Sequence, residues 1–76
     1  MAETWSGAQV VRILTKHFGF LTISQKGSHV KLRRKAGKKV QTTIVPLHKE
    51  LARGTLKGVL ELAEVEYVVF LAVAKK

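Results

Sequence analysis

The sequence predicts an α+β fold in the order helix, three-stranded antiparallel sheet, helix, closed by a short C-terminal helix or strand. Three observations predict it. Apolar residues recur at helical spacing in two separated stretches, Val10, Ile13 and Leu14 in one and Leu56, Val59 and Leu60 in the other. Between them lie three runs of strand-like composition. Those runs are divided by two turns that carry Gly27 and Gly37.

The first helix is marked at its start. Ser6 precedes Gln9 by three positions, the spacing of a reciprocal capping box, and Trp5 and Val10 stand where a hydrophobic staple would clamp the entry. Val10, Ile13, Leu14 and His17 form its apolar stripe, and Gly19 supplies the left-handed residue that stops it near Phe18. A strand follows over residues 20–25, with Leu21 and Ile23 on one side and Thr22 and Ser24 on the other, the pattern of a half-buried strand. After the turn Lys26-Gly27-Ser28, a second strand over 29–34 puts Val30 and Leu32 inward and His29, Lys31 and Arg33 outward, because successive side chains alternate faces. A second turn around Gly37 leads to a third strand over 39–45, ended by Pro46, which has no N–H to donate. The second helix starts between Arg53 and Thr55, with Thr55 a candidate cap. Residues 65–73 fit a helical face and read as a short helix, although Tyr67-Val68-Val69-Phe70 is strand-like in composition.

Both helices need an apolar surface to cover, and one face of the sheet offers it. The other face therefore stays wet and carries His29, Lys31 and Arg33, joined by Thr22 and Ser24 through the same alternation. With no repeat, linker or low-complexity run, residues 1–76 read as one domain. The chain has no cysteine, which excludes a disulfide framework and a thiolate zinc site, and neither a metal nor a cofactor is expected. The N-terminal residues lack the basic start and apolar run of a signal peptide. The longest apolar stretch, 65–74, contains Glu66 and falls short of the roughly 20 residues of a membrane span, so a cytoplasmic protein without a membrane partner is expected.

Fourteen Lys and Arg against five Asp and Glu give a formal charge of +9. A polyanion is the implied partner, and nucleic acid, an anionic membrane surface or an acidic protein would each satisfy the sign. Lys26, Lys31, Arg33, Arg34, Lys35, Lys38 and Lys39 follow one another with no acid among them. A solvated hairpin whose lysines blunt an edge strand accounts for this run as well as a binding site does.

The glutamates lack the paired, facing arrangement of glycosidase or two-metal chemistry, and Gly27-Ser28 precedes a strand rather than the helix a phosphate-binding glycine loop requires. The histidines remain. His17, on the apolar stripe, reads as a partly buried residue at a helix end; His48, after Pro46-Leu47, reads equally as a loop-fixing residue or a phosphate contact. His29 stands at a strand entrance, points away from the core and shares its face with two cations. Cleaving RNA without a metal needs little more, since the substrate's own 2′-hydroxyl attacks the adjacent phosphorus once a base takes its proton and cations stabilise the charge that develops. Histidine titrates near neutral pH, so acid and base roles are both open to it. Three readings stand at this point: a nuclease acting through His29, a non-catalytic RNA-binding module, and a domain whose basic face receives an acidic protein.

Two segments add a resemblance. Gln25-Lys26-Gly27-Ser28-His29 resembles the segment in which HicA toxins carry their catalytic histidine, and Val45-Pro46-Leu47-His48-Lys49-Glu50-Leu51 with Arg53-Gly54-Thr55-Leu56 resembles the family's second signature. Their order and spacing, across about residues 10–63, carry the similarity. The resemblance implies a double-stranded-RNA-binding-domain-like fold and endoribonuclease activity on messenger RNA, in the setting of a type II toxin-antitoxin system active in stress. It also implies neutralisation by an acidic HicB-type antitoxin, and the free toxin is expected to be a monomer. By position His29 takes the catalytic role, and Lys26, Gly27 and Ser28 take the placing of the backbone phosphate, with Lys31 and Arg33 as further RNA contacts. The chain departs from the family in having Val30 and Leu32 where members often have a second histidine or an aromatic, which implies weaker stacking on the substrate. It also has Ala63-Glu64 where helix two often ends in glycine.

Overall fold

The computed structural model describes residues 4–75. Its elements follow in the order α1 (Gly7–His17), β1 (Leu21–Lys26), β2 (His29–Ala36), β3 (Lys39–Pro46), α2 (Arg53–Ala63) and α3 (Tyr67–Ala74). The strands form one antiparallel sheet in the order β1-β2-β3. The expected α+β order is thus present, and the C-terminal segment is a helix.

Helix α1 begins at the capping box read from the sequence. The Gln9 amide N–H donates to Ser6 Oγ at 3.1 Å, and the Ser6 N–H donates to Gln9 Oε1 at 2.8 Å, so two otherwise orphaned donors are satisfied. At the other end Gly19 takes φ +75°, and the reversal brings the Phe20 N–H back to Leu14 O at 3.2 Å and drops the Phe20 ring into the core.

The sheet buries one face. Val30 and Leu32 of β2 and Val45 of β3 point inward to meet Val10 and Leu14 of α1 and Leu56, Val59 and Leu60 of α2. Two polar residues of β3, Gln41 and Thr43, are also buried on that face, and each has a partner. Thr43 Oγ1 donates to Val59 O at 2.7 Å, fastening α2 to the sheet, while Gln41 Oε1 accepts from Arg34 Nε at 3.1 Å. Arg34 joins more than the two strands. Its Nη1 donates to Phe18 O at 3.1 Å and its Nη2 to Ala63 O at 3.0 Å, and its guanidinium lies 4.6 Å from the centroid of the Phe20 ring. One cation thus closes the carbonyl ends of α1 and α2, where the helix dipoles favour positive charge.

Helix α3 is apolar on every side. Phe70 is its buried residue and meets the Trp5 ring edge-on at 5.6 Å, whereas Val68 and Val69 face solvent.

Four expectations are corrected. Strand β1 is not half-buried: all six residues are exposed, because it is the sheet edge and the helices lie over β3. The register also shifts between Thr22 and Ser24, so Leu21 faces Arg33 on the open side and Thr22 faces the inward Leu32; Ser24 alone of the expected pair joins the open face, opposite Lys31. Thr55 does not cap α2. The helix starts at Arg53 with Ala52 at the cap position and no side-chain cap, the chain being fixed just before it by buried Leu51, whose N–H donates to Trp5 O at 2.8 Å. His17, expected to be partly buried, is exposed.

Helix α2 ends with Glu64 at φ 55°, a left-handed conformation that lets the Val65 N–H reach Leu60 O at 3.0 Å. A side chain there is strained, and its ion pair with Lys39, at 3.7 Å between exposed groups, offsets little. Glu64→Gly is therefore expected to raise stability by about 0.5–1 kcal/mol, read as a higher midpoint in urea.

Candidate functional site

His29 owes its place to backbone chemistry on both sides. Gly27, at φ +59°, makes the tight β1–β2 turn, and Gln25 Nε2 braces it by donating to Gly27 O at 3.1 Å. The Leu47 N–H then donates to Ser28 O at 2.6 Å, tying this turn to the segment after β3. That segment is held in turn by α1, since the Gly7 N–H donates to His48 O at 2.9 Å. Gly7 is needed for this approach. A Cβ at Gly7 would run into Pro46 O and lie 2.8 Å from Leu47 Cα. Gly7→Ala is expected to cost about 2 kcal/mol and to loosen the segment behind His29, seen as a lower melting temperature together with faster amide exchange at Leu47.

The pairing sets what surrounds the imidazole. His29 opens β2 between Lys26 of β1 and Pro46 of β3. One step along the open face, Lys31 stands between Ser24 and Ile44; a step further, Arg33 stands between Leu21 and Thr42. Ser24, Lys26, His29, Lys31 and Ile44 line a hollow of about 490 Å³. His29 and Lys26 are exposed and Lys31 is half-buried. Among the described residues none of Lys26, Lys31 and Arg33 pairs with a carboxylate; the ion pair of this sheet, Lys39–Glu64, involves the far end of β3. The hollow is therefore a positively charged concavity with one imidazole in it, open to an anion.

Of the residues expected at the site, Lys26, His29 and Lys31 come together in the hollow. Gly27 and Ser28 form the corner above it and are exposed, without lining it. Arg33 lies on the same face but outside the hollow, its Nε donating to Thr42 Oγ1 at 3.3 Å. Arg34, counted in the same basic run, is turned inward and committed to the helix ends. Ile44 is the lining residue that the sequence reading did not single out. His48 is exposed in the loop before α2, and His17 lies beside Arg12 and Lys16 in a shallow groove against Val73 and Ala74.

The fold and this face define a small basic α+β protein that presents a single imidazole among unpaired cations on the uncovered side of its sheet. A family model described as the HicA toxin of bacterial toxin-antitoxin pairs matches residues 7–65, and the chain belongs to that family. The matched region runs from α1 to the turn after α2 and contains every residue that lines the hollow. Comparison with curated proteins finds no match. Family membership makes a toxin of a toxin-antitoxin pair the role of the chain at that level. No helix among the described residues is long and apolar enough to cross a membrane.

Proposed function

We propose that the chain is a metal-independent endoribonuclease that cleaves messenger RNA through His29. The observation that carries this reading is the exposed His29 imidazole in a concavity flanked by Lys26 and Lys31, with no carboxylate paired to either among the described residues. An RNA strand laid over this face brings its phosphates to the lysines. His29 takes the proton of the 2′-hydroxyl, whose oxygen attacks the adjacent phosphorus; the P–O5′ bond breaks as the leaving 5′-oxygen takes a proton from water, leaving a 2′,3′-cyclic phosphate on one fragment and a 5′-hydroxyl on the other, and His29 returns its proton to solvent. The lysines stabilise the negative charge that gathers on the phosphoryl oxygens. The Gly27-Ser28 corner, open on its outer side, supports a role in placing the phosphate, and Arg33 extends the cationic track along β2.

One acid-base group contributes a factor of about 10²–10⁴, a modest catalyst by enzyme standards. Slow cleavage still stops growth when the target is messenger RNA. The proposal places the toxin in the cytoplasm as a monomer when free, acting in stress. A formal charge of +9 fits neutralisation by an acidic HicB-type antitoxin that covers the His29 face, because complementary charge both steers association and blocks RNA.

The test is to express the chain in bacteria and map RNA 5′ ends. Growth arrest with new 5′ ends, both suppressed by co-expressing an acidic HicB-type antitoxin, is the expected result. RNA binding without new ends would instead support a non-catalytic RNA-binding module on the same face.

A further inference from the structure

The hollow beside His29 is not uniformly polar. Of its five lining residues Ile44 is the large apolar one, and it is 44% exposed on a face otherwise occupied there by Ser24, Lys26, His29 and Lys31. No aromatic ring lines the hollow; the rings of Phe20 and Phe70 are buried in the core, and Trp5, Phe18 and Tyr67 pack against it. Lys31, directly across from Ile44 in the β2–β3 pairing, is half-buried, so its methylene stem adds apolar surface beside the isoleucine while its ammonium stays available. An apolar floor with a cationic rim matches a nucleotide, a flat apolar base joined to a charged phosphate.

Resting on the nuclease reading, we propose that Ile44 is the floor of a base-binding subsite that takes one unstacked base of a single-stranded RNA. The volume of about 490 Å³ falls within the range of sites that enclose a small molecule, about 300–1,000 Å³. Ile44 lies in a concavity, where the stacked base faces of a duplex cannot reach it; an A-form helix offers the protein its backbone and shallow groove instead. The base sits against Ile44 and the Lys31 stem, its own phosphate reaches Lys26 or Lys31, and the neighbouring ribose lies at His29. Ile44 is thus a positioning residue that selects single strands and sets the phosphate against the imidazole. Val40, also on β3 and 51% exposed, pairs with Lys35 and lies outside the hollow, which makes it the internal control.

The probe is a short single-stranded 2′-O-methyl RNA, which cannot be cut, compared with a 2′-O-methyl ribose-phosphate strand of equal length that carries no bases. The wild-type chain is expected to bind the base-containing strand about fivefold more tightly at fixed low salt, the effect of covering a modest apolar area. Ile44→Ala brings that ratio close to one without weakening binding of the base-free strand, which also reports that the variant is folded. Ile44→Phe raises the ratio, since base–aromatic stacking is stronger, and Val40→Ala leaves it unchanged. Equal binding of both strands by the wild-type chain, or an undiminished ratio in Ile44→Ala, overturns the subsite. Cleavage of ordinary RNA, measured in parallel, separates the two ideas. Cutting without base preference ends the subsite alone, base preference without cutting ends the nuclease reading alone, and failure to bind either strand ends both.

Discussion

On the proposed nuclease reading, His29→Ala is expected to lower the rate of RNA cleavage by a factor of about 10²–10⁴ while leaving fold and RNA affinity nearly intact. The size of the loss follows from removing the one imidazole that lines the hollow, the group proposed to take the 2′-hydroxyl proton. Retention of the fold follows from exposure: the His29 side chain is exposed and outside the core, and its backbone pairing with Lys26 and Pro46 does not depend on it. Binding should survive because the phosphate charge is met by Lys26, Lys31 and Arg33. Removing one of these cations has the complementary signature. Lys31→Ala weakens binding across RNA sequences and flattens the log-log salt dependence by about 0.7 if it neutralises one phosphate of a single strand. Single-turnover cleavage, paired with affinity measured on uncleavable RNA, distinguishes the two patterns. His17→Ala, in a groove formed by α1 and α3, leaves both unchanged.

Arg34→Met is expected to destabilise the chain by about 3 kcal/mol, close to the whole margin of a weakly stable small domain. The guanidinium satisfies three acceptors at once, Gln41 Oε1, Phe18 O and Ala63 O, and two of these are carbonyls at helix ends with no other partner in their own helices. Methionine fills the volume against Phe20 but leaves all three acceptors unpaired. A loss of that size lowers the melting temperature by more than about 10 °C in a chain of this length. Arg34→Lys keeps the charge and loses the fork, because one ammonium cannot span three acceptors set in different directions, so it recovers only part of the stability. In neither variant should the salt dependence of RNA binding change, since Arg34 is turned away from the open face. Thermal melting followed by circular dichroism checks the first expectation, and a salt titration checks the second.

How far the sequence could be read depended on whether the signal was local. The Ser6–Gln9 box, the glycine turns and the alternation along β2 are decided within a few residues, and each is present as expected. His29 was legible for the same reason, as the first outward residue after a tight turn. Strand β1 was not, because its faces are set by a shift against β2 at Ile23 that no apolar-polar pattern encodes. Strand β3 shows the opposite of the usual pattern, with Gln41 and Thr43 buried and Val40 and Ile44 exposed. Those polar residues are tolerated inside because Arg34 and the Val59 carbonyl complete their hydrogen bonds, partners that come from other elements. Ile44 was nonetheless within reach. The two-residue turn Gly37-Lys38 pairs Ala36 with Lys39, and counting back along both strands places Ile44 opposite Lys31, beside the imidazole. The inward turn of Arg34 also follows from alternation, one step beyond Leu32, and separates one cation from a run that composition alone treats as a single patch.

The most direct measurement is the chemistry of the ends made by purified protein on a defined single-stranded RNA in excess EDTA. Attack by the RNA's own 2′-hydroxyl, with His29 as base, predicts fragments carrying a 5′-hydroxyl and a 2′,3′-cyclic phosphate, formed by the wild-type chain and lost in His29→Ala. Fragments with 5′-phosphate ends, cleavage abolished by the chelator, or an undiminished rate in His29→Ala would contradict it.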